Sequence, residues 1–164
     1  WQRQTREVYD RGNGAAILLF NREKRSVVLT RQFRLPVFVN GHDGLLIEVA
    51  AGLLEGAAPE QRIRDEAEEE TGYRVHDVKK VFEAYMSPGS VTEKLHFFIA
   101  EYDSALKVSD GGGLEEETEE LEVLEWSFDE ALAAFHRGEI CDAKTIMLLQ
   151  YAAMNNLFNA QASD

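Results

Sequence analysis

The chain has 164 residues, of which 45% are hydrophobic and 10% aromatic, and this predicts one folded domain with a real core rather than a disordered chain. Its formal net charge of −13, from 17 basic and 30 acidic residues, disfavours binding to nucleic acid or anionic membranes. We find no apolar run long enough to span a bilayer and no basic-then-apolar signal segment. The single cysteine, Cys141, excludes an internal disulfide and favours the reducing cytoplasm.

Apolar runs separated by turn residues predict the elements in chain order. We expect strands at 15–20, 26–33, 45–50, 78–86, 95–100 and 123–126. Helical spacing predicts helices at 59–71, 129–137 and 143–157, with an inward stripe of Leu148, Tyr151 and Ala152 in the last. The three glycines at 111–113 predict a flexible tip before a run of glutamates. Helices interposed among mixed strands indicate an α/β sandwich.

The helix at 59–71 is short and strongly acidic. Pro59 suits its first position, where a missing N–H is harmless, and Gly72 suits its end. Glu66 and Glu70 are four residues apart, so their carboxylates share one face, and Glu69 borders that face. Like charges at this spacing oppose helix formation, and a magnesium ion would offset the repulsion. The alternative is a solvated acidic face, as in most charge runs.

The wider pattern resembles a known family. Ala51-Gly52-Leu-Leu-Glu55, followed by Glu66-Ala-Glu-Glu69-Glu70-Thr-Gly72-Tyr73, resembles the Nudix box, G-x5-E-x7-R-E-U-x-E-E-x-G-U, where U is aliphatic or aromatic. The metal-binding end matches. Elsewhere the chain departs from the pattern. Ala58 stands where the pattern has the Glu after G-x5, and the spacing from Gly52 to Glu66 is one residue shorter than in the pattern. The Arg expected before Glu66 is Asp65, with Arg64 one place early, and the aliphatic position is Ala67.

Six further segments extend the resemblance over nearly the whole chain. They are residues 6–12, 31–34, 83–89, 91–93, 96–102 and 142–145, and together they are similar to the nucleotide-sugar branch of the Nudix hydrolases. The resemblance implies a single domain over 1–164 with the Nudix fold, an α/β/α sandwich around a mixed β-sheet. It also implies a homodimer, and an N-terminal head preceding Trp1.

The implied activity is Mg²⁺-dependent hydrolysis of a nucleoside diphosphate sugar, with Mn²⁺ as a possible substitute. Water would attack one phosphorus and release a nucleoside monophosphate and a sugar 1-phosphate. GDP-mannose is the first expectation for the substrate and ADP-ribose the alternative. Such a reaction needs a cation, because the oxygens of a pyrophosphate repel an incoming nucleophile.

The resemblance also assigns roles to residues. The metal ligands would be the backbone carbonyl of Ala51 with the side chains of Glu66, Glu70 and Glu117. Glu117, chosen among 115–117, would also be the base, and Lys144 would act with it in catalysis. Substrate contacts would come from Arg6, Glu7, Arg34, Gly52, Leu53, Glu93 and Glu116.

Lys144 has an independent argument for a functional role, because it starts a predicted helix, where a cation is unfavourable beside the positive end of the dipole. For Arg34 a surface ion pair is the plain alternative. His42, His76, His96 and His136 show no zinc spacing. Two other classes of function stay open. One is a Nudix-fold module that binds a ligand without turnover, and it is motivated by Ala58 and Asp65 in place of the charged residues of the pattern. The other is a structural acidic domain.

Overall fold

The computed structural model of the chain describes residues 1–113 and 120–158. In these residues the strands are β1 (Gly14–Asn21), β2 (Ser26–Phe33), β3 (Leu45–Glu48), β4 (Ala50–Leu53), β5 (Lys79–Tyr85), β6 (Lys94–Glu101) and β7 (Glu122–Ser127). The helices are α1 (Leu35–Val39), α2 (Pro59–Thr71), α3 (Phe128–Arg137) and α4 (Ala143–Met154), and a 3₁₀ turn lies at Ser104–Leu106.

The seven strands form one mixed sheet in which β1 is central. β1 pairs in parallel with β6 on one side and antiparallel with both β2 and β4 on the other. β2 continues the sheet to β3 and β7, and β6 continues it to β5. All eight residues of β1 are buried, which explains why its sequence is an almost unbroken apolar run.

Helices cover the sheet on both faces, and each face has its own core. Alternate residues of β1 point to opposite sides, as a strand requires. One core joins β1 to α2 through Ala15, Ile17, Leu19, Ile63 and Ala67. The other joins it to α3 and α4 through Ala16, Leu18, Phe20, Ala131, Leu148 and Leu149. The predicted α/β/α sandwich around a mixed sheet is therefore confirmed.

Local chemistry sets the ends of the two helices that matter most for function. Pro59 begins α2, and Gly72 ends it in the left-handed conformation with φ of 79°. Asp142 caps α4 by accepting a hydrogen bond from the Thr145 N–H at 3.0 Å. Such a cap satisfies one of the free N–H groups at a helix start.

The last helix was predicted to run to residue 157 but ends at Met154, and the structure departs from the predicted elements in three further places. The strand expected at 45–50 is two strands, because Val49 donates its N–H to Thr145 Oγ1 at 2.8 Å instead of to a neighbouring strand. The short helix α1, with Pro36 near its start, was not predicted, since a five-residue apolar run has no polar face. The glycine tip is anchored, because Gly112 and Gly113 donate to the carbonyls that end α2.

Candidate active site

A cavity of about 530 Å³ opens where β4, the start of α2 and the start of α4 meet. Its charged lining residues are Arg11, Arg34, Glu48, Glu55, Arg62, Glu66, Glu93, Asp142 and Lys144, and the backbone at 51–53 forms part of the wall. The sequence predicted Arg34, Ala51, Gly52, Leu53, Glu66, Glu93 and Lys144 as site residues, and all of these line the cavity. The cavity therefore mixes both signs of charge at close range.

Glu66 lies against the backbone of β4. It is only 6% exposed. A Cβ atom built on Gly52 would stand 1.6 Å from Glu66 Oε1, closer than any real contact. Glycine at position 52 is therefore what allows the Glu66 carboxylate to occupy this part of the cavity wall.

Glu70 lies one turn further along α2 and is also buried, at 4% exposure. Its Oε2 accepts the backbone N–H of Ala51 at 3.3 Å. Glu66 and Glu70 thus both reach the same short stretch of β4, at Gly52 and Ala51. Neither carboxylate lies on a solvated face of the helix.

Arg62 connects α2 to β4 beside these carboxylates. Its Nη2 is 2.6 Å from Glu66 Oε1, its Nε donates to the Leu53 carbonyl at 3.2 Å, and its Nη1 lies 3.6 Å from Glu69 Oε2. The Arg62 side chain is 19% exposed. The sequence interpretation did not assign Arg62 a role, although its spacing of four from Glu66 was available to suggest the contact.

The opposite wall carries a buried carboxylate that the sequence interpretation missed. Glu48 is 3% exposed, its Oε2 is 2.7 Å from Arg34 Nε, and its Oε1 bonds to Lys144 Nζ. Lys144 also lies 3.1 Å from Asp142 Oδ1. The only sequence hint for Glu48 was a lone charge inside an apolar strand, which normally requires a partner when buried.

These contacts explain how Lys144 can start a helix. The two carboxylates at Glu48 and Asp142 offset the unfavourable dipole at the beginning of α4. Thr145 adds a further restraint, because its Oγ1 accepts the Val49 N–H and donates to Asp142 Oδ2 at 2.6 Å. The dipole argument for a functional Lys144 is therefore weaker than the sequence suggested, but its place in the cavity wall remains.

The other predicted residues are more dispersed. Glu93 pairs with Arg11 at 3.5 Å at the rim of the cavity. Arg6 is exposed and bonds to its neighbours Gln4 and Thr5. Glu7 lies in a separate shallow depression with Val8, Tyr9 and Ser90. Neither Arg6 nor Glu7 lines the cavity of its own chain.

The predicted base and its neighbour, Glu117 and Glu116, lie outside the described residues. Among residues 1–113 and 120–158, no three His, Cys, Asp or Glu side chains converge as a ready-made metal cluster. The donors that do come together are the Glu66 and Glu70 carboxylates beside the β4 backbone. Hard, buried carboxylate oxygens of this kind fit Mg²⁺, and the lack of a side chain at Gly52 lets the Glu66 carboxylate lie against β4.

A second charged cluster lies away from the cavity, on β5 and β6. Hydrogen bonds from Lys80 and Lys94 lower the pKa of Glu83 to about 2. Burial, reinforced by the same two lysines and opposed by Glu83, lowers the pKa of His96 below its ordinary range. The His96 Nδ1 is buried without a hydrogen-bond partner in the described part of the chain, and Glu83 Oε2 lies 3.2 Å from it.

The fold and cavity agree with the family comparison. The NUDIX domain family matches residues 10–149, which is most of the chain, and the chain belongs to this family. Within the ranges 1–113 and 120–158, none of the helices has the length and apolar character needed to cross a membrane.

Similar proteins in the family include GDP-mannose pyrophosphatases. The GDP-mannose pyrophosphatase of Pectobacterium atrosepticum is 59% identical over 157 residues, covering 95% of this chain and 80% of the relative. That of Cronobacter sakazakii is 59% identical over 158 residues, covering 96% and 82%. That of Klebsiella pneumoniae is 55% identical over 165 residues, covering 99% and 82%.

Proposed function

We propose that this chain is a Mg²⁺-dependent pyrophosphatase that hydrolyses nucleoside diphosphate sugars, with GDP-mannose as its main substrate. The observation that carries the proposal is the pair of buried carboxylates against β4, Glu66 and Glu70, of which Glu66 lines the same cavity as the cations Arg34 and Lys144. A diphosphate needs both kinds of group around it. The names of the relatives support the choice of GDP-mannose.

Each wall of the cavity has a separate task in this proposal. Glu66, Glu70 and the Ala51 carbonyl would hold the divalent ion, which when bound offsets phosphate charge and favours ionisation of the attacking water. Arg34 and Lys144 would contact the phosphate oxygens and favour the charge that develops on the leaving group. Glu117, by resemblance to the family, would accept the proton from the water.

Glu48 keeps the cationic wall in place. Its two oxygens engage Arg34 from β2 and Lys144 from α4, so the two cations share one buried counter-charge. Cations held in advance do not need to reorganise when the substrate arrives, and such preorganisation is a large source of catalytic power. Glu48 itself does not need to touch the substrate.

The test is a panel of nucleotide sugars that includes GDP-mannose and ADP-ribose, assayed with and without Mg²⁺. We expect Mg²⁺-dependent release of a nucleoside monophosphate and a sugar 1-phosphate, fastest from GDP-mannose, and abolished by a chelator. Preference for ADP-ribose would correct the substrate. Saturable binding without cleavage would favour the ligand-binding module instead, for which Asp65 in place of the expected Arg is the motivating observation.

We also propose a cytoplasmic homodimer. The exposed, unpaired Cys141 suits a reducing compartment. Large apolar side chains are exposed near α1, at Phe33, Leu35, Phe38 and Val39, and a second copy would cover such a patch. Light scattering gives the mass in solution, and a monomer at working concentration would contradict the dimer.

A further inference from the structure

The residues adjacent to Glu66 in sequence do not hold its carboxylate. Asp65 stands where the family pattern has an arginine, and its Oδ1 accepts a hydrogen bond from Gln61 at 2.9 Å. Arg64 turns to the opposite side, where its Nε donates to the His76 carbonyl at 3.1 Å and its Nη2 lies 3.9 Å from Glu60. Neither Asp65 nor Arg64 therefore contacts the Glu66 carboxylate in place of the arginine in the family pattern.

Arg62 does reach Glu66, and each of its three guanidinium nitrogens lies near a different protein group. One nitrogen contacts Glu66, a second contacts the Leu53 carbonyl of β4, and the third lies near Glu69. A planar guanidinium that meets three groups in fixed directions holds each of them more rigidly than a single point charge does. These three contacts join α2 to β4 and hold the guanidinium beside Glu66.

Local helix energetics do not explain an arginine at position 62. The position is in the first turns of α2, near the positive end of the helix dipole, where a cation is disfavoured. An arginine placed four residues before a glutamate is also the weaker orientation of such a pair. The contact with Leu53, which belongs to a different element, is what fixes the side chain there.

We propose that Arg62 is the positioning residue for Glu66 and takes the place of the arginine missing at position 65. Arg62 pins Glu66 Oε1 from the side of α2, while the bare backbone of Gly52 leaves room for the carboxylate on the side of β4. Together they set the direction in which Glu66 presents itself to a divalent cation. This inference rests on the proposed metal-dependent function and adds to it the residue that aligns the ligand.

Mn²⁺ binding gives a decisive test, because the two effects of removing Arg62 have opposite signs. Loss of a nearby positive charge would by itself tighten cation binding, whereas loss of alignment weakens it, typically about 10–100-fold for groups that orient a ligand. We therefore compare Arg62→Met with Arg64→Met, which makes the same charge change on the outer side of α2. Calorimetric titration with Mn²⁺, far below the melting temperature of each variant, supplies the dissociation constants.

We expect Arg62→Met to bind Mn²⁺ at least about 10-fold more weakly than the wild type and Arg64→Met to bind it as the wild type does. With GDP-mannose at saturating Mg²⁺, kcat of Arg62→Met should fall about 100-fold with little change in KM. Mn²⁺ bound by Arg62→Met as tightly as by the wild type, or more tightly, overturns the inference.

Two further outcomes keep this inference separate from the proposed function. Should Arg62→Met not fold, Arg62→Lys carries the same test, because one ammonium cannot make the three contacts and Mn²⁺ must still bind more weakly. A wild-type chain that cleaves no nucleotide sugar refutes the proposed function, but the comparison of Mn²⁺ affinities still decides the role of Arg62.

Discussion

Adding one methyl group at Gly52 should separate catalysis from stability. In Gly52→Ala the new Cβ would lie 1.6 Å from Oε1, 2.1 Å from Cδ and 2.8 Å from Cγ of Glu66. Restoring ordinary contact distances requires the carboxylate to move by about 2 Å. Because Glu66 is a flexible side chain, an off-rotamer adjustment costs only about 1 kcal/mol, and Tm should fall by roughly 2–4 °C.

The effect on turnover should be far larger. A misplacement of about 1 Å at a reacting centre can reduce the rate about 100-fold, so we expect kcat for GDP-mannose to fall at least that far at saturating Mg²⁺. The matched control is Gly89→Ala, since a Cβ there meets nothing within 4 Å. If Gly52→Ala keeps kcat within about threefold of the wild type while folding normally, Glu66 does not work from the position described.

Three other changes test the remaining parts of the structure. Glu70→Gln keeps an acceptor for the Ala51 N–H but loses the charge, so activity should fall at least about 100-fold while the melting curve stays close to that of the wild type; full activity would contradict its role. Glu48→Gln should lower the free energy of unfolding by about 1–3 kcal/mol. The same change at the half-exposed Glu101 should lower it by under about 0.5 kcal/mol. Equal melting temperatures for the two variants would contradict this prediction. Burial lowers the pKa of His96, so NMR should show its imidazole titrating below pH 6.5. The stability that depends on a neutral His96 is present above pH 6.5 and is lost as the pH falls and the imidazole takes up a proton. A titration midpoint at or above pH 6.5 would contradict this prediction.

Much of the fold could be predicted because its elements are marked locally. The bounds of α2 follow from Pro59 and Gly72, and the strand expected at 26–33 is found as β2, Ser26–Phe33. The break between β3 and β4 could not be predicted, since Val49 leaves the sheet to bond with Thr145, 96 residues away. No local pattern at Val49 signals such a partner.

Some residues of the candidate site could likewise be predicted from the sequence, and others could not. Glu66 and Glu70 were identifiable because a helix places residues four apart on one face. The ion pair of Glu48 with Lys144 spans 96 residues, so neither sequence segment reveals the other. Arg62 was overlooked for a different reason, because the family pattern directed attention to position 65, whereas the contact comes from one turn earlier on the same helix.

The pairing of Glu48 with Lys144 has a consequence for the order of events during synthesis. The ribosome delivers β3 long before α4, so the nascent chain carries the Glu48 carboxylate without its lysine until the last helix emerges. Burying that anion with Arg34 as its one basic partner would be costly. Completion of this wall is therefore coupled to the docking of α4, and a chain truncated ahead of residue 143 would leave the anion facing Arg34 alone.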